Sequence, residues 1–258
     1  METTVATDKD LPRVSYLGRF LDLVQVVSTA PDRGLTLSEL ASRGGVPPST
    51  VSRLARLLEE HGLARRLADK RYVPGPALVA IGLRSLRRLP TDRFHEAVQI
   101  LVDLTGESVS VGILLGDEIT LVERRESSHA LRYVASVGDV IAPHESAMGK
   151  VVLAHAPPER RTRIVRRAVG DEADSVLAGL ADELDETLAA GIGRDEESFA
   201  VGLRCVAAPI LGSDGDAVGA ISISGPAARF TRELADGFLP GLREQTRRLS
   251  PLAIPVDP

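Results

Sequence analysis

The sequence predicts an α+β chain with a winged helix-turn-helix head followed by a domain of strand pairs interspersed with helices. Three observations lead there. Residues 36–63, TLSELASRGGVPPSTVSRLARLLEEHGL, read as two short helices around a tight turn, and LARRLADKRYV at 63–73 continues as a basic hairpin. From Pro90 onward helical and strand periodicities alternate, with turn signals at Gly116-Asp117 and Ser213-Asp214-Gly215-Asp216. Charge also divides along the chain. Leu11 to Gly75 carries ten Lys/Arg against six Asp/Glu, a net +4, while Pro76 onward carries twenty against twenty-seven, a net −7. The overall charge of −5 therefore conceals a basic head on an acidic body, the distribution expected of a chain that meets a duplex with one end only.

Taken in order, residues 1–10 (METTVATDKD) are polar and without periodicity and read as a disordered leader. Val14 to Ser28 is expected to form an amphipathic helix burying Leu17, Phe20, Leu21, Val24 and Val27. Pro31-Asp32-Arg33-Gly34 turns the chain. The first helix of the reading pair places Leu37, Leu40 and Ala41 on one face. Gly44-Gly45 supply the turn, and Val46 tucks between the helices. Pro47-Pro48-Ser49-Thr50 opens the second helix, which is expected to bury Val51, Leu54, Leu57 and Leu58. Its other face keeps Ser49, Thr50, Ser52, Arg53 and Arg56, the hydroxyls and guanidinium groups that a major-groove reader needs. Around Ala68-Asp69 the hairpin carries Arg65, Arg66, Lys70 and Arg71. Of these, Arg66, Lys70 and Arg71 are the candidates for phosphate contact.

Tyr72-Val73-Pro74-Gly75-Pro76 breaks the pattern, which bounds a DNA-binding domain at 11–75 and a linker helix at 76–89. That helix, ALVAIGLRSLRRL, has Leu78, Ile81 and Leu86 on an apolar stripe, with Arg84, Arg87 and Arg88 exposed, and is expected to pair two copies of the chain. An effector domain is expected over 90–254. It begins with a helix from Phe94 to Gly106 carrying Ala97, Ile100, Leu101 and Leu104 inward. Strands follow at Ser108–Leu115, Glu118–Arg124 and Leu131–Ser136, then helices at Ser146–His155, Pro158–Arg167 and Ala181–Ala190. A second hairpin joins Leu203–Leu211 to Ala217–Ser224, and Thr231 to Leu249 closes as an amphipathic helix with Leu234, Phe238 and Leu242 inside.

Composition narrows the function. A single cysteine, Cys205, excludes an intramolecular disulfide and a cysteine zinc cluster. The five histidines are scattered without metal-ligand spacing, and no metal or other cofactor is expected. The N-terminus has no signal-peptide character, and the longest apolar runs, such as Val109 to Leu115, fall short of a membrane span, so a cytoplasmic protein without membrane association is expected. No Gly-x-Ser-x-Gly elbow, phosphate loop or His-Glu-x-x-His pair suggests an enzyme. His144 and Ser146 stand two apart, which is not the three-group arrangement of an activated nucleophile. Two alternatives stay open: a redox-sensing regulator acting through Cys205, and a small hydrolase built on the second domain.

Three segments in order resemble the IclR family of bacterial transcriptional regulators. These are the head with its ending RYVPGPALVAIG; PHESAMGKVVLAH at Pro143–His155, similar to the family's His-x-x-Ala-x-Gly-Lys; and GIGRDEESFAVGLRCVAAPILGSDGDAVGAISISGP at Gly191–Pro226. The last contains Asp-Glu-Glu, Gly-x-x-Cys-x-Ala-x-Pro and Ser-x-Ser-Gly-Pro. The resemblance runs from about Val14 to Leu252. It implies a winged helix head, a linker helix and a GAF-like α/β effector-binding domain, in a homodimer or dimer of dimers on a palindromic DNA operator, acting as repressor or activator.

Carried over residue by residue, the resemblance implies an effector pocket of Ser146, Ala147, Asp195, Leu203, Cys205, Ser222 and Ser224. Two pairs, 203 with 205 and 222 with 224, are spaced to share a strand face, and the turn at 213–216 would set those strands side by side. The helix opening at Ser146 offers free amides to an anion. Hydroxyls, a thiol and an apolar wall suit a small organic or aromatic acid. Asp195 falls in an acidic stretch expected to be a loop. One departure is that Pro143 and Glu145 flank His144; a Glu145 pointing inward would disfavour a carboxylate.

Overall fold

The computed structural model describes residues 16–252. The leader expected over 1–10, the expected helix start at Val14 and the last two residues of the 90–254 span lie outside them. The chain divides into two compact units, one ending at Arg87 and the other beginning at Arg88.

The first unit builds a winged helix head. Helix α1 (Tyr16–Ser28) packs behind α2 (Leu37–Arg43) and α3 (Pro48–Glu60), and the hairpin of β1 (Ala64–Arg66) and β2 (Tyr72–Pro74) follows. Thr36 caps α2 reciprocally. Its Oγ1 accepts from the Glu39 N–H at 3.2 Å, while Glu39 Oε2 accepts from the Thr36 N–H at 2.8 Å. Gly45 turns the chain with φ +59°, and Val46 is buried between the helices as its position implied. Leu35 bridges Tyr72 in antiparallel fashion, adding a third extended segment to the hairpin. Helix α4 (Pro76–Leu86) ends the unit with no buried residue; Val79, Ile81, Leu83 and Leu86 all face solvent.

Three details of the head differ from expectation. In α1, Leu23 and Val27 are buried, whereas Leu17 and Leu21 are exposed. The run YLGRFLDLVQVVS is apolar around most of its circumference, so spacing alone did not choose the face. In α3, Ala55 takes a fully buried place and Leu57 only a partly buried one. No side chain caps α3; Pro48 in the first turn removes one amide that would need a partner.

The second unit is a six-stranded antiparallel sheet between two helical layers. Helix α5 (Thr91–Thr105) leads into β3 (Ser108–Leu115) and β4 (Glu118–Arg125), then the short β5 (Val140–Ile141). Helices α6 (Ala147–His155), α7 (Pro158–Val169) and α8 (Ala173–Ala190) follow, the last two joined by a 3₁₀ turn. Strands β6 (Gly193–Glu196), β7 (Leu203–Leu211) and β8 (Ala217–Pro226) and helix α9 (Arg232–Leu249) complete it. Spatial order is β5-β4-β3-β8-β7-β6. Alternation sorts each strand. Val109, Val111 and Ile113 of β3, with Val206, Ile210, Ile221 and Ile223, pack on α5 and α9, while Ala207 and Ala220 face α6.

Helix α6 lies close on the sheet because glycines leave room for it. A Cβ on Gly193 would stand 2.2 Å from the carbonyl oxygen of Ala147, so only glycine lets the first turn of α6 rest on β6.

Here too the differences have physical causes. Leu131–Ser136 is not a strand; the outer edge of β4 is paired instead at Ile119 and Thr120 by Ile141 and Val140 of β5, with Leu121 bonding to Gly138 and Asp139. Asp195 is not in a loop but on β6, paired across from Cys205. Ile100, Leu104 and Leu234, expected inside, are exposed; Phe94 and Val98 fill the inner face of α5 instead. Helix α8 begins eight residues before its expected start at Ala181.

Candidate functional site

Two surfaces carry chemistry, one in each unit. On the head, Ser49, Ser52, Arg53 and Arg56 stand on the exposed face of α3, with Thr50 half-buried beside them. The Arg53 guanidinium lies over the Tyr16 ring, 4.7 Å from its centroid, and Arg56 reaches Glu60 at 3.3 Å in an exposed pair worth little in salt. Both side chains remain exposed to solvent. Arg66 is exposed on β1, and Lys70 sits at the hairpin tip with φ +68°. Arg71 differs from the rest. It donates to Gly34 O at 3.1 Å and to Glu39 Oε2 at 3.3 Å, tying the hairpin to the start of α2. The Thr36 backbone N–H, then the Thr36 hydroxyl, hold the Glu39 carboxyl below the usual carboxylate range, so this tie persists in mildly acidic conditions.

In the second unit a cavity opens between α6 and the sheet. All seven residues expected there line it: Ser146, Ala147, Asp195, Leu203, Cys205, Ser222 and Ser224. Two rows run across the strands. Asp195 of β6 pairs with Cys205 of β7, which pairs with Ser224 of β8; one step along, Ser222 of β8 pairs with Ser110 of β3, which pairs with Arg124 of β4. Ser146 caps α6, accepting from the Gly149 N–H at 3.0 Å and donating to Ala142 O at 2.8 Å. Its hydroxyl is therefore engaged with backbone rather than with His144, and a serine nucleophile with a histidine base does not form. Glu145 is half-exposed and is not among the lining residues.

Asp195 is fully buried. Its Oδ1 accepts from Ser198 N–H at 2.8 Å and Phe199 N–H at 3.2 Å, and the Cys205 thiol across the strand pair is a further, weak donor to the carboxylate. Burial raises its pKa, opposed by those two amides and by the cation of Lys150. Lys150, itself buried, donates to Glu183 Oε1 at 2.7 Å and reaches Arg194 O at 3.3 Å. Burial, and next the neighbouring Asp195 carboxylate, push the Cys205 thiol well above its ordinary range. That keeps the sulfur protonated, the opposite of what a peroxide-reactive cysteine requires.

Sequence reasoning missed Arg124, Tyr133 and Phe199, which also line the cavity. The reason for Arg124 is a β-bulge. Gly112 pairs with Leu121, but Val111 pairs with Glu123, so Val122 is an extra residue in β4. Without it Glu123 would oppose Ser110; with it Arg124 does. Arg124 Nη1 donates to Ser110 Oγ at 2.7 Å, Nη2 donates to Tyr133 O, and Nε is buried without a partner. Tyr133 and Phe199 come from irregular segments on opposite sides and meet edge to face at 5.8 Å. The adjacency of charge and aromatic residues in LVERRESSHALRY was the only signal.

Comparisons with known proteins agree with this geometry. A model of the bacterial transcriptional regulator IclR C-terminal domain matches residues 91–251, and one of the IclR helix-turn-helix domain matches residues 17–68. The HTH-type transcriptional regulator BhcR of Paracoccus denitrificans is 32% identical over 248 residues, covering 94% of this chain and 88% of that protein. The transcriptional repressor IclR of Escherichia coli is 28% identical over 242 residues, covering 91% and 88%. A crystal structure of an IclR homologue from Microbacterium hydrocarbonoxydans, complexed with 4-hydroxybenzoate, superposes with a TM-score of 0.70 at 23% identity over 91% of this chain and 97% of that one. With both domain models matched in order across nearly the whole chain, this protein belongs to the IclR family and is a DNA-binding transcriptional regulator.

Proposed function

We propose that this regulator reads a palindromic operator as a homodimer or dimer of dimers, and that a small organic or aromatic acid in the cavity of the second unit modulates that binding. The observation that carries the effector reading is the cavity itself. Residues from α6, β6, β7 and β8, separated by up to 78 positions in sequence, converge on one space. The first amides of α6 and the hydroxyls of Ser222 and Ser224 offer further partners to a polar ligand. The 4-hydroxybenzoate held by the Microbacterium homologue makes that acid a sensible first compound to test here.

On DNA, α3 enters the major groove with Ser49, Thr50, Ser52, Arg53 and Arg56 toward base edges, while Arg66 and Lys70 approach phosphates and Arg71, expected there from the sequence, instead holds the hairpin in place through Gly34 and Glu39. The exposed apolar residues of α4 support pairing of two chains through the linker helix. An effector that binds one arrangement of the dimer better than another then shifts operator affinity.

A gel-shift on the DNA around this protein's own gene, with a panel of carboxylates and aromatic acids, tests the reading. A sequence-specific complex that one acid strengthens or weakens supports it. A specific complex indifferent to every small molecule, the acids and a wider metabolite library alike, would overturn the effector part and leave the DNA-binding part standing.

A further inference from the structure

Arg53 stands at the centre of the exposed face of α3, with Ser49 and Thr50 one turn before it and Arg56 one turn after. Among the described residues its guanidinium makes no hydrogen bond and no ion pair; what holds it is the ring of Tyr16, with the centroid 4.7 Å away. Neighbouring guanidinium groups are held differently. Arg56 Nε faces Glu60 at 3.3 Å, and Arg71 commits Nη1 to Gly34 O and Glu39 Oε2.

Tyr16 adds little to the interior of the head. It lies on α1, 44% exposed, outside the apolar core that Leu23 and Val27 form with α2 and α3. Its ring instead meets a cation on another helix. A ring attracts a cation through the negative charge of its face, at up to about 6 Å from the centroid. That attraction occupies no acceptor oxygen, so the fork of N–H donors on Arg53 stays available for a base edge. Two such donors side by side match O6 and N7 of guanine in the major groove. An arginine loose on a helix surface loses rotamer freedom when it docks on a base. One already seated on a ring loses less, and it docks in one place.

We propose that Tyr16 is a positioning residue for DNA recognition: its ring seats the Arg53 guanidinium so that the arginine selects guanine at one position of each half-site. This rests on α3 being the major-groove reader with Arg53 toward the bases. It adds a residue on a different helix, far from α3 in sequence, as a determinant of sequence preference. The ring face does this work, and the phenol hydroxyl is not needed for it.

The test is selection of bound sequences from a random double-stranded DNA library by the full-length protein. Titration of the duplex that wild type enriches, and of a scrambled duplex, follows for each variant. Arg53→Ala is expected to lose base preference at one position per half-site, a guanine in the wild-type consensus. Tyr16→Leu keeps an apolar side chain and removes the ring. It should weaken preference at that same position by ~2–5-fold, the range of an exposed cation–π contact, and leave the other positions and the scrambled duplex unchanged. Tyr16→Phe, which keeps the ring and loses the hydroxyl, should match wild type. With Arg53→Ala already present, Tyr16→Leu should add nothing further at that position. Three results would overturn the proposal while leaving Arg53 a base reader: wild-type preference in Tyr16→Leu, a loss spread evenly over all positions and the scrambled duplex, or Tyr16→Phe as impaired as Tyr16→Leu. No single position lost by Arg53→Ala, or no sequence enriched by wild type, would overturn the base-reading role and the proposal together.

Discussion

Asp195→Asn should make the second unit more stable while blunting its response to ligand. In the wild type a fully buried carboxylate has one oxygen satisfied by two backbone amides and, besides these, only the weak thiol donor of Cys205. An unsatisfied buried polar group costs about 1–3 kcal/mol. Asparagine keeps the acceptor for Ser198 and Phe199 and removes the buried charge, and since its own amide donor then needs a partner, the gain comes from the lost charge. The expected gain is about 1–3 kcal/mol near neutral pH, or roughly 2–12 °C in the unfolding transition of a domain this size. The pH dependence has a definite sign. The folded pKa of Asp195 lies above its unfolded value, so the native state holds the proton longer and the wild type loses stability as pH rises through that window. The stabilisation by Asp195→Asn should therefore be small near pH 4 and full above the folded pKa. Thermal unfolding of both proteins across pH 4 to 8 reads this directly. A variant less stable than wild type at neutral pH, or a gain that does not vary with pH, would refute the idea that this carboxylate is held in the core at a cost and kept for function.

Arg53→Ala should weaken operator binding by about 1–3 kcal/mol if its guanidinium reads a base edge, and titration against random DNA separates that from a phosphate contact, which would weaken both equally. Gly193→Ala should destabilise the second unit by about 1–3 kcal/mol, since the new Cβ meets the Ala147 carbonyl and the start of α6 must lift; thermal unfolding measures the cost. Arg229→Met should cost about 3–5 kcal/mol in denaturant unfolding, because it strands the buried Glu107 carboxylate that Arg229 grips with both Nε and Nη2. The same substitution frees Leu131 O, so ligand binding near Tyr133 should weaken by more than Glu107→Gln alone produces.

Much of the fold was legible because its local signals agree. Thr36 with Glu39, the glycine turn, and Pro48 at the first turn of α3 all point to the same helix boundaries. The spacing of 203 with 205 and of 222 with 224, with a turn between, located one wall of the cavity without a structure. What escaped depended on partners distant in sequence. The alternation in LRYVAS satisfies the pattern of a strand, but pairing with β4 is made by Val140 and Ile141, further along the chain, at Thr120 and Ile119. Asp195 belongs to a four-residue strand too short for periodicity to announce. The face of α1 was ambiguous because its apolar residues run nearly all the way round.

The bulge at Val122 has a further consequence, for how such a chain changes over time. Parity along β4 assigns Arg124 to the cavity and Glu123 to the opposite face, and parity is altered by length rather than by identity. Loss of one residue from the strand would exchange a guanidinium for a carboxylate at the cavity wall while every side chain around it stayed the same. The charge of this wall can thus turn on an insertion or deletion, a class of change that position-by-position substitution scanning never samples.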